Sequence, residues 1–563
     1  MPAAFALGLD FGTSSVRALI ADTQSGEEIA TATFDYPSGD AGVLTEGSNP
    51  DIARQHPGDY LEGAQKTVQQ ALAIAHEHPG FAVDLIRGIG VDSTGSTPLP
   101  VDAELRPLAL APEFNGELAA QAWLWKDHSA HAEAAEITDL ARQQRPEYLS
   151  KCGGTYSSEW FWSKVLRCTR EHPQVAAQAA TWLELCDFVP AWLCGIRNAT
   201  DVPRSICAAA HKAMYHPDWK GLPDEEFLGK LSPQLPALRN TFGNPARPSN
   251  HRAGMLCDEV AQQLGLPAGI PVAVGALDAH LGAVGSGVAP GTLVKILGTS
   301  TCDCMVAPLS LDLPEVPGLC GVAPESILPG MHGIEAGQSA VGDIFQWFVS
   351  KVAPRDFGSG DDADTHAALS EAAARLQAGA SGLLALDWHN GNRSVLTDPR
   401  LSGMVLGLSL QTTPPELYRA WIEATAFGAR VILDRLEEYG VEVQRVITCG
   451  GVAEKSPLLM QIYADVCQVP LLSARSTQAC ALGAAICGAV AGGAHADLPT
   501  AQRHMTGTAE RSYQPGAAAS VYARLYALYR QLHDAFGQGS QTDLSQTMKQ
   551  LLQIRDEQRR SGG

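Results

Sequence analysis

Residues 7–20 read as an apolar strand, a tight polar turn and a second apolar strand. The turn gathers a carboxylate, Asp10, with Gly12 and three hydroxyl residues at 13–15. Because glycine has no side chain, the backbone at Gly12 can approach a bulky anion closely. Hydroxyls and backbone N–H groups bind phosphate oxygens, and Asp10 can hold a hydrated magnesium ion. The segment fits a phosphate-binding hairpin, although an edge strand with a serine-rich turn would show the same pattern.

A second hairpin of the same shape occupies residues 294–306, with the turn Gly298-Thr299-Ser300. One such turn is weak support for a phosphate site, but two in matching context indicate an internal duplication. The sequence therefore predicts two related lobes that face each other.

Strand and helix patterns alternate along the chain. Apolar runs at 86–92 and 272–276 predict buried strands, and three- and four-residue apolar spacing predicts helices at 59–76 and 415–439. This alternation is typical of an α/β fold. The glycine-rich segment 282–291 is the predicted hinge between the lobes. No P-loop motif and no complete G-x-G-x-x-G motif occur, which disfavours two other nucleotide-binding folds.

Composition excludes several classes of protein. A chain of 563 residues with 45% hydrophobic and 18% charged residues is typical of a globular protein of several domains. Its formal charge of −21 argues against nucleic acid or an anionic membrane as a partner. The 13 cysteines include no C-x-x-C pair, so we expect buried reduced thiols and no structural metal. The first apolar run is too short for a signal peptide or a membrane span, which predicts a cytoplasmic protein.

Three motifs resemble the FGGY family of carbohydrate kinases, in the actin-like ATPase superfamily. They are the two hairpin turns and the segment 448–457, which is similar to the adenosine motif of the family. The resemblance implies two actin-like, ribonuclease H-like lobes with an active-site cleft between them. It implies an N-terminal lobe at 1–285, a C-terminal ATP-binding lobe at 286–510 and a helical tail at 511–563 that packs on the second lobe.

ATP and Mg²⁺ are the cofactors that the family resemblance implies, with Asp10 holding Mg²⁺ through water. Because the overall charge is negative, local magnesium and backbone N–H groups must attract the nucleotide. The resemblance assigns nucleotide contacts to Asp10, Gly12, Thr13, Ser14, Ser15, Arg17, Gly298, Thr299, Ser300, Gly450, Gly451, Lys455 and Ser456.

Asp278 matches the aspartate that takes the proton from the acceptor hydroxyl in the family, although an aspartate there could merely cap the next helix. The segments 122–130, 210–215 and 386–394 resemble the branch of the family that phosphorylates L-ribulose. By that resemblance Trp125 packs on the sugar carbons, Lys212 donates to sugar oxygens and Glu335 accepts from its hydroxyls. Ser96 would lie at the pocket wall.

Each of these residues has a simpler alternative: a core tryptophan, a surface lysine, or a glutamate that caps a helix or pairs with a base. Asn392 and Arg393 are interpreted as a loop closed by its own side chains and are left out of the site.

The resemblance predicts an ATP-dependent kinase for the C5 hydroxyl of L-ribulose. One alternative is a kinase of the same family for D-ribulose, ribitol, xylulose or glycerol. A less favoured alternative is a nucleotide-switched binding protein of the heat-shock branch. The sequence leaves the oligomeric state open, with a homodimer among the alternatives.

Overall fold

The structure, a computed structural model, describes residues 3–47, 49–313, 316–354, 357–358, 361–537 and 547–561. The strands are β1 (Phe5–Phe11), β2 (Ser15–Asp22), β3 (Glu28–Asp35), β4 (Leu44–Glu46), β5 (Asn49–Gln55), β6 (Ile86–Ser93), β7 (Pro98–Val101), β8 (Ala122–Trp123), β9 (Thr181–Glu184), β10 (Arg252–Met255), β11 (Pro271–Ala273), β12 (Ala276–Leu277), β13 (Thr292–Leu297), β14 (Thr301–Pro308), β15 (Gly321–Pro324), β16 (Met331–Ala336), β17 (Leu384–Leu386), β18 (Met404–Leu406), β19 (Arg445–Cys449), β20 (Leu471–Ala474) and β21 (Thr508–Tyr513).

The helices are α1 (Pro57–Ala75), α2 (His131–Gln144), α3 (Phe161–Glu171), α4 (Pro173–Gln178), α5 (Leu185–Leu193), α6 (Ile206–Lys212), α7 (Glu225–Leu231), α8 (Leu235–Asn240), α9 (Asp258–Leu264), α10 (Asp278–Gly285), α11 (Gly342–Trp347), α12 (Asp362–Ala374), α13 (Pro414–Glu438), α14 (Gly451–Lys455), α15 (Pro457–Cys467), α16 (Ala479–Ala491), α17 (Leu498–Met505), α18 (Ala519–Gly537) and α19 (Thr547–Ser561). Short 3₁₀ turns lie at Val83–Leu85, Leu108–Leu110, Pro112–Phe114, Leu118–Ala120, Pro146–Leu149, Ala199–Asp201 and Pro217–Trp219, and a π-helical turn at Phe348–Val352 follows α11.

Two seven-stranded sheets form the two lobes, and five neighbouring strands have the same order and relative directions in both: β3-β2-β1-β6-β11 in the first and β16-β14-β13-β19-β20 in the second. The first sheet has the order β10-β11-β6-β1-β2-β3, with β12 also paired to β6. The second has the order β15-β16-β14-β13-β19-β20-β21. In each sheet the hairpin pairs are antiparallel, whereas β1 with β6 and β13 with β19 are parallel. The duplication predicted from the two hairpins is therefore present in the fold, and both turns lie at equivalent positions.

The helix α16 lies against both α10 and the first sheet, where it contacts β1 and β6. Small residues allow this close approach: a Cβ built on Gly90 would lie 1.8 Å from the Ala484 carbonyl oxygen, and one on Gly483 would lie 1.9 Å from that of Leu281. The predicted hinge segment 282–291 begins as the second half of α10 and continues as a loop into β13. Its role as a hinge stays a prediction.

Sequence periodicity placed the long elements correctly. The predicted strand at 86–92 is β6, and the predicted helices at 59–76 and 415–439 are α1 and α13. The strand predicted at 272–276 is interrupted, because β11 ends at Ala273 and β12 begins at Ala276. The expected helical tail begins as a strand, since β21 runs to Tyr513 before α18 starts.

Helix α18 buries an aromatic and aliphatic stripe in the core of the second lobe, including Tyr522, Leu525, Tyr529 and Leu532. Phe536, at the end of the predicted stripe, is 53% exposed. No disulfide joins the cysteines in the described ranges, and most of the thiols are buried. Among the residues that the structure describes, no helix combines the length and apolarity needed to cross a bilayer.

Candidate functional site

Three carboxylates meet at adjoining strand ends of the first sheet. Asp10 on β1 and Asp92 on β6 are register partners in the parallel ladder. Asp278 begins α10 directly after β12, which pairs with the end of β6. Burial, followed by the negative charge of Asp10, raises the pKa of Asp278 to about 7. An aspartate with such a pKa can accept a proton near neutral pH, as a general base must.

Asp10 has a cationic neighbour, because the Arg17 guanidinium lies 3.2 Å from its Oδ2. The first turn closes by a hydrogen bond from the Gly12 N–H to the Ser15 carbonyl oxygen at 2.9 Å. Thr13 is held from outside the turn, because Gln55 Nε2 donates to its carbonyl oxygen at 2.7 Å. Ser14 is exposed and Ser15 is buried, so the turn presents its outer edge to solvent.

Trp125 joins the predicted sugar segment to this turn. Its indole Nε1 donates to Thr13 Oγ1 at 3.0 Å, and its ring is partly exposed. A tryptophan that only filled the core would be buried, as Trp123 is. Part of the Trp125 side chain is therefore accessible beside the first turn, and the Lys126 ammonium lies 5.4 Å from the centre of its ring.

Backbone N–H groups at the start of α11 hold the second turn in place. Val341 and Asp343 N–H groups donate to the Thr299 carbonyl oxygen at 2.8 and 3.1 Å, and Gly342 N–H donates to that of Gly298 at 3.1 Å. Thr299 is exposed at the tip. A Cβ on Gly298 would meet nothing closer than 3.8 Å, so the backbone there faces open space.

The adenosine motif lies at the end of β19, next to the second turn. Gly450 has a φ of +100°, and a Cβ there would lie 2.4 Å from the Leu297 carbonyl oxygen. A Cβ on Gly451 would meet nothing within 4 Å, and Lys455 is exposed. Ser456 caps α15, because its hydroxyl accepts from the Leu459 N–H at 3.3 Å. Open backbone at Gly298 and Gly451 leaves room for a nucleotide, and the carboxylates of the first sheet are of the kind that bind its magnesium.

Lys212 and Glu335 form a buried ion pair across the cleft. Lys212 ends α6 in the first lobe, and its Nζ donates to both carboxylate oxygens of Glu335 on β16 at 3.1 Å. Burial lowers the pKa of Lys212, but the Glu335 charge beside it raises that pKa overall. The pKa of Glu335 is lowered despite its burial, chiefly by Lys212 and then by His211 and His280. The two charged heads lie between the lobes, where each is the main charged partner of the other.

Two imidazoles, His211 and His280, flank Glu335. His211 Nδ1 and His280 Nε2 each lie 3.5 Å from Glu335 Oε2, and the rings are 4.6 Å apart. Burial lowers the pKa of His280 to about 4 and holds that of His211 well below its usual value. The ligand atoms of this trio all lie within 4.8 Å of one another, a spacing that could hold a metal. Lys212 donates to the same carboxylate, so Glu335 lies among three nitrogen-bearing side chains.

Ser96 is buried, and its hydroxyl donates to Glu184 Oε1 at 2.7 Å. Behind it the Lys164 ammonium donates to the carbonyl oxygens of Ser96, Trp123 and Leu124 at 2.9, 3.1 and 2.9 Å. Burial lowers the pKa of Lys164 to about 7 and raises that of Glu184 to about 7. The Ser96 side chain thus points toward Glu184. The Lys164 ammonium links the Ser96 backbone by hydrogen bonds to the segment that leads to Trp125.

Sequence reasoning did not single out three groups of residues that lie here: Asp92, the pair His211 and His280, and the pair Lys164 and Glu184. It left Arg393 out of the site, and that exclusion stays a prediction. Burial lowers the pKa of Arg393, but Glu159, followed by nearby thiols and Glu335, raises it overall. Within the described ranges no carboxylate lies within 4.0 Å of its guanidinium.

Asn392 does close its own loop, because its Oδ1 accepts from the Leu396 N–H at 2.9 Å. Asp92 carried a signal, since it ends a buried strand next to the predicted phosphate hairpin.

Comparison with known proteins identifies both lobes. Residues 5–285 match the N-terminal domain of the FGGY family of carbohydrate kinases, and residues 293–492 match its C-terminal domain.

Three similar curated proteins are ribulokinases. That of Shouchella clausii is 40% identical over 565 residues, covering 97% of this chain and 98% of the relative. The ribulokinase of Vibrio parahaemolyticus is 39% identical over 541 residues, which cover 93% of this chain and 95% of the relative. The ribulokinase of Mycolicibacterium smegmatis is 40% identical over 550 residues, which cover 95% of this chain and 94% of the relative.

Solved structures share the fold. Xylulose kinase from Rhodospirillum rubrum has a TM-score of 0.77 at 25% identity and covers 94% of this chain and 99% of its own. Plasmodium falciparum glycerol kinase with ADP has a TM-score of 0.74 at 13% identity, and the match covers 95% of this chain and 98% of the glycerol kinase chain.

Proposed function

This chain belongs to the FGGY family of carbohydrate kinases, and from that premise we propose that it transfers the γ-phosphoryl group of ATP to the C5 hydroxyl of L-ribulose. The observation that carries the proposal is the buried Lys212–Glu335 pair between the lobes, in a chain about 40% identical to ribulokinases. A buried donor beside a buried acceptor favours a ligand with many hydroxyls, because such a ligand can hydrogen-bond to both charged heads and an apolar ligand can bond to neither.

Three side chains hold the sugar in this proposal. Lys212 donates to sugar oxygens, Glu335 accepts from sugar hydroxyls, and the exposed face of Trp125 packs on the carbon skeleton. The link from Trp125 to Thr13 supports this arrangement, since it sets the sugar beside the phosphate turn. Ser96 shapes the pocket through its backbone rather than its hydroxyl, because the hydroxyl is engaged by Glu184.

Asp278 is the base of the proposed reaction. The C5 oxygen attacks the γ-phosphorus, its proton passes to Asp278, and the bond from that phosphorus to the β,γ-bridging oxygen breaks to release ADP. The raised pKa of Asp278 suits it to hold this proton. Closure of the two lobes would exclude water and limit ATP hydrolysis.

The phosphates of ATP would lie between the two turns, at Gly12–Arg17 and Gly298–Ser300, with the nucleoside against Gly450, Gly451, Lys455 and Ser456. Mg²⁺, held through water by Asp10, would neutralise charge on the transferring phosphoryl group. Arg17 faces Asp10 and would help to orient it.

The same proposal divides the chain by task. Residues 1–285 supply the sugar pocket and the first phosphate turn, residues 286–510 supply the second turn and the nucleoside site, and the tail 511–563 supports the second lobe. The burial of Tyr522 and Tyr529 in the second core supports this last assignment. The cytoplasm, where ATP is abundant, is the proposed location, and a homodimer stays an untested prediction.

The position of the new phosphate tests the proposal. We expect Mg²⁺-ATP and L-ribulose to yield ADP and a product whose C5 carbon signal is split by phosphorus in the ¹³C spectrum. Splitting at C1, or ADP release that does not depend on sugar, would reject it. Phosphorylation of xylulose, ribitol or glycerol in place of L-ribulose would instead support the alternative kinase of the same family.

A further inference from the structure

Asp92 is a buried carboxylate without a donor. It is fully buried at the end of β6, and neither carboxylate oxygen has a hydrogen-bond partner in the described structure. Burying an ionised carboxylate without a partner costs several kcal/mol of folding free energy. Such a group therefore needs either a cation beside it or a bound proton.

The surroundings of Asp92 are acidic. Asp10 is its register partner on β1 and lies within hydrogen-bond reach, and the charge of Asp278 also acts on it. Burial first, and then these two carboxyl groups, hold the pKa of Asp92 well above its usual value. From the opposite side, burial and the charges of Asp10, Asp92 and Asp278 raise the pKa of the Cys480 thiol. Three carboxylates therefore converge under α16.

The geometry points to Asp92 as the second carboxylate of the magnesium site, where it binds the ion directly or accepts hydrogen bonds from its water shell. This inference rests on the proposed kinase function, because the ion enters with ATP. The Asp10 carboxylate already faces Arg17, whereas neither Asp92 oxygen accepts a hydrogen bond from a described N–H or hydroxyl group. Carboxylate oxygens are the ligands that Mg²⁺ prefers.

Asparagine separates this role from that of a neutral structural acid. Asp92→Asn keeps the volume and the ability to donate to Asp10, so a protein that uses Asp92 only as a neutral acid would tolerate it. A metal-binding role would not survive the loss of the charge. Asp22→Asn, at the far end of β2, is the control, since Asp22 only holds a turn through its Oδ1.

The experiment measures Mn²⁺ binding by electron paramagnetic resonance in the presence of a non-hydrolysable ATP analogue. We expect Asp92→Asn to weaken Mn²⁺ binding at least about 10-fold, with unchanged analogue affinity in EDTA and with wild-type Mn²⁺ binding in Asp22→Asn. Wild-type Mn²⁺ affinity in Asp92→Asn would overturn the inference. Failure of the wild-type protein to bind the analogue would instead reject the proposed function.

A second measurement uses the unaltered protein and so does not depend on how the variant folds. Crystals of the wild type with Mn²⁺ and the analogue are expected to show the anomalous manganese peak, or one of its waters, within bonding distance of Asp92. A metal shell that reaches Asp10 but does not touch Asp92 would overturn the inference.

Discussion

Lys212 Nζ lies 3.1 Å from each carboxylate oxygen of Glu335, so a single buried ion pair joins the last turn of α6 to β16 of the other lobe. Removing one member of a buried pair leaves the other charge without compensation, which costs about 3–5 kcal/mol. The same two groups are the proposed hydrogen-bond partners of the sugar. Stability and sugar binding should therefore change together at this pair.

Lys212→Met is expected to raise the KM for the sugar strongly and to lower the free energy of unfolding by about 3 kcal/mol. Calorimetry and steady-state kinetics measure the two effects. The double variant Lys212→Met/Glu335→Gln should recover most of the stability, because no charge is left unpaired, but not the sugar affinity. Recovery of sugar affinity in the double variant would contradict the assigned roles.

Asp278→Asn should lower kcat by at least about 100-fold, because the amide cannot take the proton of the attacking hydroxyl. ATP binding, measured by calorimetry with a non-hydrolysable analogue, should change little. Normal turnover in this variant would refute Asp278 as the base.

The pH profile should show an acid limb that belongs to Asp278. The base works only when deprotonated, and its pKa is raised to about 7, so kcat/KM for the sugar should fall as the pH drops below that value. Bound magnesium opposes the repulsion from Asp10 and would shift the limb toward lower pH. A profile that stays flat from about pH 5 to pH 8 would contradict this account.

Trp125→Phe removes the hydrogen bond to Thr13 but keeps an aromatic ring. We expect a loss of about 1 kcal/mol, or about fivefold in kcat/KM. Trp125→Ala removes the ring as well and should cost considerably more, mainly in the KM for the sugar. Equal effects of the two substitutions would show that the ring does not pack on the substrate.

Gly90→Ala should destabilise the contact between the first sheet and α16, because its Cβ would lie 1.8 Å from the Ala484 carbonyl oxygen. A loss of about 3 kcal/mol in thermal unfolding is expected. Gly47→Ala is the matched control, since a Cβ there meets nothing within 4 Å. Similar stabilities of the two variants would contradict the close packing of α16.

Hairpins and long helices could be predicted from the sequence, because the residues within each element determine it. Each hairpin is defined by its own strand pattern and turn residues, so both hairpins could be predicted with their positions, and their binding of phosphate stays a prediction. The place of Asp278 directly after a strand could also be predicted, and its role as the base stays a prediction. Long helices such as α13 show a clear apolar period over many residues.

Groups whose roles depend on distant partners could not be predicted in the same way. Asp92 ends a predicted strand, but its place beside Asp10 follows from the register of β6 against β1. Ser96 turns toward Glu184, which is 88 residues away along the chain. His280 flanks Glu335 only because the two lobes meet. Sheet register and lobe packing are long-range properties, and no short motif encodes them.

The most direct test of the central claim compares kcat/KM with Mg²⁺-ATP across L-ribulose, D-ribulose, D-xylulose, L-xylulose, ribitol, L-arabinitol and glycerol. Coupled ADP release provides the rate. The account predicts the highest value for L-ribulose, with that preference reduced in Lys212→Met. Turnover of another member alone would contradict the assignment of Trp125, Lys212 and Glu335 to ribulose, and sugar-independent hydrolysis across the whole panel would contradict the kinase itself.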